Sequence, residues 1–108
     1  MQKVNGKNKF KSYLPLPKHS REISAAIRKF LPSTHEVYLF GSCAEGRAVE
    51  RSDLDFGIDG PSPLPIETMI TIRALVEGVP TLRKIDVVDL QKVGKEFRER
   101  ALTFSKKI

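Results

Sequence analysis

The chain has 108 residues, the length of one domain, with 40% hydrophobic and 30% charged residues. That balance excludes a disordered class, and no apolar run approaches the length needed to cross a membrane. Cys43 is the single cysteine, which excludes an internal disulfide and a multi-cysteine metal site.

Residues 1–17 read as a basic tail ending in Leu14-Pro15-Leu16-Pro17, and residues 18–108 as the folded domain. Lys3, Lys7, Lys9, Lys11 and Lys18 concentrate the net charge of +6 at the front. Such an excess suits phosphate-bearing or acidic partners, nucleic acid among them. Few aromatic residues interleave with these lysines, so a platform for stacking single strands has little support. The tail lacks the apolar centre of a secretory signal, and a soluble, cytoplasmic protein is expected.

From Lys18 to Leu31 the pattern is helical, with Ile23, Ala26, Ile27, Phe30 and Leu31 on one face and Pro32 as its stop. Val37-Tyr38-Leu39-Phe40 reads as a buried strand that ends at Gly41-Ser42. Residues 42–48 begin a short helix and 49–52 form a polar loop. Leu54 to Ile58 is a second strand, with Leu54, Phe56 and Ile58 on one face and Asp53 and Asp55 on the other. Asp59 reads as a turn residue before Gly60. Ile66 to Glu77 is a helix with Ile66, Met69, Ile70 and either Leu75 or Ala74 turned inward, stopped by Gly78 and Pro80. Ile85 to Leu90 is a third strand. Val93, Phe97, Ala101, Phe104 and Ile108 step as one stripe, predicting an amphipathic helix over 93–108 whose stripe is core and whose Arg98, Arg100, Lys106 and Lys107 are solvated. His19 and His35 are expected at the surface. Strands alternating with helices give an α/β (α+β) fold, a small mixed β-sheet flanked by α-helices.

Asp53 and Asp55 lie two apart on one strand, and the next strand offers Asp86 or Asp89, which have opposite parity. Three carboxylates on rigid strands repel one another without a cation, so the pattern points to Mg²⁺, with Mn²⁺ as an alternative. Two such ions would activate an attacking hydroxyl and neutralise charge on a triphosphate. Gly41 lets backbone approach a phosphate closely, and the helix start after it presents N–H groups to an anion. Ser42 adds a hydroxyl donor, and Ser52 precedes Asp53 where it can hold the turn.

The stretch from Leu39 to Asp55, with Gly41-Ser42 followed after ten residues by Asp53-Leu54-Asp55, resembles the signature of the DNA polymerase β-like nucleotidyltransferases. Ala44, Gly46 and Ser52 are similar to its small, stand-alone branch, the minimal nucleotidyltransferases. Ile85 to Leu90 resembles the strand bearing the third carboxylate, and position in that pattern gives the role to Asp86. The resemblance implies catalytic and metal-binding roles for Asp53, Asp55 and Asp86. It places nucleotide binding on Gly41, Ser42 and Ser52, with Arg47, or Arg51 in its place, offsetting Glu45 beside the triphosphate. The activity implied is transfer of a nucleoside monophosphate, AMP from ATP foremost, to a hydroxyl. Such small members pair with a HEPN-type protein as antitoxin to toxin, and some attach AMP to a tyrosine of it. The chain stops soon after the core, so a partner or a second copy would complete the acceptor site. A second reading, motivated by Cys43 and Glu45, is an antitoxin that neutralises its partner by contact alone.

Overall fold

The computed structural model describes residues 16–41 and 53–108. The expectations for the tail before Leu16, for the short helix at 42–48, and for Ser42, Cys43, Glu45, Arg47, Arg51 and Ser52 lie outside those residues. Among the described residues the elements run α1 (Ser20–Arg28), β1 (Glu36–Phe40), β2 (Leu54–Asp59), α2 (Ile66–Glu77), β3 (Ile85–Asp89), α3 (Lys95–Thr103) and β4 (Lys106–Lys107). This is the expected α/β fold with a mixed sheet. The strand order is β3-β2-β1-β4. β1 pairs antiparallel with β2 and β4, while β2 and β3 are parallel and joined through α2. No described helix is long and apolar enough to cross a membrane.

Strand alternation divides the core between the two faces of the sheet. Val37 and Leu39 from β1, Leu54, Phe56 and Ile58 from β2, and Val87 from β3 pack against Ile23 and Ile27 of α1 and Met69, Ile72 and Val76 of α2. The opposite face carries a smaller cluster of Phe40, Leu90 and Ala101 beneath α3. That second face also carries Asp55, between the inward-facing Leu54 and Phe56.

Several details depart from the sequence reading, each for a tertiary reason. α1 stops at Arg28, and Phe30 is 43% exposed, because the chain turns at once to align β1. The Arg28 guanidinium, 3.0 Å from Glu36, ties that turn to the start of the strand. α2 buries Met69, Ile72 and Val76 and leaves Ile66 and Ile70 exposed. Its sequence is apolar on several sides, so only docking onto the sheet selects the inner face.

α3 ends at Thr103, nine residues long, and Lys106–Lys107 leave the helix to pair with Tyr38 and Leu39. The Thr103 hydroxyl donates to the Glu99 carbonyl and the Ser105 hydroxyl to that of Leu102, so side chains take over the bonds a continuing helix would need. The backbone of β1 then offers better partners, including the Val37 carbonyl for the Ile108 N–H at 2.9 Å. Two lysines on an edge strand also discourage further pairing.

His35 is buried, not at the surface. Its Nε2 lies 2.9 Å from the Ser62 carbonyl and its Nδ1 3.0 Å from the Thr34 hydroxyl. The ring sits so close over Gly60 that a Cβ there would come within 2.5 Å of it. The imidazole thereby fastens the β2–α2 turn to the start of β1.

Candidate active site

The turn after β1 and the first residues of β2 meet at one end of the α3-facing side. Gly41 has φ +81°, a left-handed conformation that costs an L-residue with a side chain. Phe40 and Asp55 are register partners, which brings the Asp55 carboxylate over Gly41. A Cβ at Gly41 would collide with that carboxylate. Two independent constraints, backbone conformation and space, therefore require glycine there.

On the other side of β2, Asp55 is in register with Asp86 of β3. The Leu54 N–H donates to the Lys84 carbonyl at 2.8 Å, which locks the start of β2 to the start of β3. Asp53 precedes that lock and is exposed, as is Asp86, while Asp55 is half-buried. Burial pushes the Asp55 carboxyl above the usual carboxylate range, and the charges of Asp86 and then Asp53 push it further, with Lys84 opposing. Asp86 and Asp53 thus both act on Asp55 through space. The three acids are not drawn into a tight cluster: among the described residues no three His, Cys, Asp or Glu side chains stand close enough to hold a metal ion. Hard carboxylate oxygens are nonetheless the donor chemistry that suits a divalent cation.

Asp89, the alternative to Asp86, has another task. It is buried, with one oxygen accepting from the Leu64 N–H at 2.8 Å and the other from the Gln91 N–H at 2.9 Å. Asp59 is more than a turn residue, since it accepts from Gln91 Nε2 and from Nε and Nη2 of Arg98. Arg98 is accordingly not simply solvated: it clamps α3 to the end of β2. The bond to Asp59 holds its guanidinium above the usual range. Gly41, Asp53, Asp55 and Asp86 gather around one end of the sheet, whereas Ser42, Ser52 and Arg47 lie outside the described residues.

Lys84 is a cation of this site that motif spacing does not single out. Its position directly before Ile85-Asp86 was the available signal. Together with Arg73, Arg83 and Asp86 it lines a cleft of about 400 Å³ along the open edge of β3. Arg73 is braced there by two bonds to the Val87 carbonyl, at 3.0 and 3.2 Å.

The family profile described as polymerase beta, nucleotidyltransferase matches residues 22–108. The chain belongs to that family, and nucleotidyl transfer is the class of activity such a domain carries. No curated protein matches the sequence. Two solved structures share the fold at 20% identity. One, described as a toxin-antitoxin with AMP-PNP, superposes with a TM-score of 0.59 over 82% of this chain and 71% of the other. The second, a candidate nucleotidyltransferase from Sulfolobus solfataricus, gives 0.52 over 85% and 78%. At that identity the likeness is one of fold.

Proposed function

We propose that the chain transfers a nucleoside monophosphate, AMP from ATP, to a hydroxyl on a HEPN-type partner protein, acting as the antitoxin of a pair. The observation that carries the reading is the register of Asp55 with Asp86, beside a left-handed Gly41 that admits the Asp55 carboxylate. Membership of the nucleotidyltransferase family supports the reaction class. The fold shared with a toxin-antitoxin structure containing AMP-PNP supports the nucleotide and the kind of partner.

Asp53, Asp55 and Asp86 would hold Mg²⁺, which when bound supplies Lewis-acid stabilisation of charge on the phosphates. The chain's own groups do the rest. Gly41 adds no side chain of its own where a phosphate would approach the turn beside the Asp55 carboxylate, and Ser42, next in sequence, offers a hydroxyl donor. Asp86, exposed at the edge strand, accepts the proton of the acceptor hydroxyl. The acceptor oxygen forms its bond to the α-phosphorus, the bond to the bridging oxygen breaks, and pyrophosphate leaves. Lys84 holds positive charge beside the acids.

The test is incubation with α-labelled ATP, Mg²⁺ and a HEPN-type partner. Label should pass to the partner, and Asp53→Asn or Asp55→Asn should reduce transfer by about 10²-fold or more. Absence of transfer by the native chain would sink the proposal. A contact-only antitoxin is the second reading, favoured by the exposed Ile66 and Ile70 one helical turn apart on α2. It requires that the aspartate variants neutralise the partner as well as the native chain.

A further inference from the structure

We infer that the slot between the end of β1 and α3 receives the nucleobase of the nucleotide, with the Phe97 ring as its stacking face. This rests on the reading of Gly41 as the phosphate turn.

The slot has a volume of about 170 Å³ and is lined by Phe40, Gly41, Phe97, Arg100 and Ala101. Gly41 belongs both to the slot and to the turn that the Asp55 carboxylate touches, so the two are continuous. A nucleotide with its phosphates at the turn can therefore reach the slot with its base. Phe97 stands edge-on to Phe40, with centroids 5.9 Å apart and planes at 86°. That contact fixes the orientation of the ring and leaves Phe97 48% exposed. A phenyl ring held in place but half in solvent is a ready stacking surface for a flat aromatic group.

Arg100 supplies the polar part. Its guanidinium lies 4.9 Å from the centroid of Phe104 on the same helix, which holds the cation near the slot. Its positive charge favours the polyanion to which a base is tethered. An apolar floor with one cation at its rim fits an aromatic base tethered to a polyanion better than a sugar or an alkyl chain. Every base has a π-face, so the slot raises affinity for nucleotides generally.

The experiment is titration calorimetry of the full chain with ATP and with inorganic tripolyphosphate, each with Mg²⁺. Native protein should bind ATP more tightly than tripolyphosphate. Phe97→Leu keeps an apolar contact with Phe40 but removes the aromatic face, and should weaken ATP binding about ten-fold while leaving tripolyphosphate unchanged. Phe97→Tyr restores the face and should restore ATP affinity. Equal ATP affinity in native and Phe97→Leu protein, or an equal loss for both ligands, overturns the slot and leaves the phosphate turn standing. Failure of the native chain to bind tripolyphosphate removes the phosphate turn and the slot with it.

Discussion

Asp55 concentrates the conflict between stability and function in this chain. Its carboxyl titrates above its unfolded value of 3.8 because it is partly desolvated and faces Asp86 and Asp53. A raised carboxylate favours the protonated form in the folded state. Its contribution to stability is complete below the unfolded value and is lost as pH rises through the raised native one. At neutral pH and without metal, the ionised group therefore opposes folding. Asp55→Asn should melt at a higher temperature than the native chain at pH 7, with the gap closing as pH falls toward 3.8. Thermal melts across that range in the presence of a chelator decide it, and a lower melting point for the variant at pH 7 would refute it. The same substitution should reduce transfer, so stability and activity move in opposite directions. Gly41→Ala is the complement: its left-handed φ and the collision with Asp55 should cost about 1–2 kcal/mol or more, read by urea unfolding, and should reduce transfer as well.

At the level of elements, α1 and α3 are held in different ways. α1 buries Ile23 and Ile27 completely, and it buries two serines with them. The Ser20 hydroxyl donates to the Pro17 carbonyl at 2.6 Å, whereas the Ser24 hydroxyl is buried without a hydrogen-bond partner among the described residues. Ser24→Ala should raise stability by about 1 kcal/mol, since it removes a desolvated hydroxyl and improves helix propensity. Loss of stability on that substitution would show that the oxygen has a partner after all. α3 buries Ala101 alone, and the clamp between Arg98 and the mostly buried Asp59 adds to the packing of Phe97 and Ala101 in holding it on the sheet. Arg98→Ala would leave that carboxylate with the Gln91 amide but without its cation, at a cost of about 1–3 kcal/mol. Amide exchange in residues 95–103 should then accelerate more than exchange in β1 or β2, and uniform acceleration would contradict the clamp.

For the whole molecule, the acids at the end of the sheet predict that a divalent cation stabilises the fold. Mg²⁺ at ten times its Kd should add about 1.4 kcal/mol, a rise in Tm of about 4–8 °C per kcal/mol. Asp53→Asn or Asp86→Asn should blunt that rise, and an unchanged Tm with Mg²⁺ in the native chain would speak against a cation site. The positive charge of the chain has a local counterpart in the cleft holding Arg73, Arg83 and Lys84, which adjoins Asp86.

Much of this was written in local pattern. The β-branched and aromatic runs at 37–40, 54–58 and 85–89 mark the strands because they fit a pleated, buried surface. Alternation alone separates Asp53 and Asp55 from the core residues Leu54, Phe56 and Ile58. Gly41 is legible as a turn because few other residues leave a strand so sharply. What local pattern does not contain is which surfaces meet. Parallel register between β2 and β3 sets Asp86 opposite Asp55, while Asp89 turns to satisfy backbone N–H groups at Leu64 and Gln91. Docking selects the inner face of α2 from a helix apolar on several sides. The open edge of β1 captures Lys106–Lys107 from a stripe that would otherwise continue as helix. The helical and pleated periods are local and can be read along the chain. Pairing, burial and charge coupling join residues far apart in sequence, so only the folded arrangement decides them.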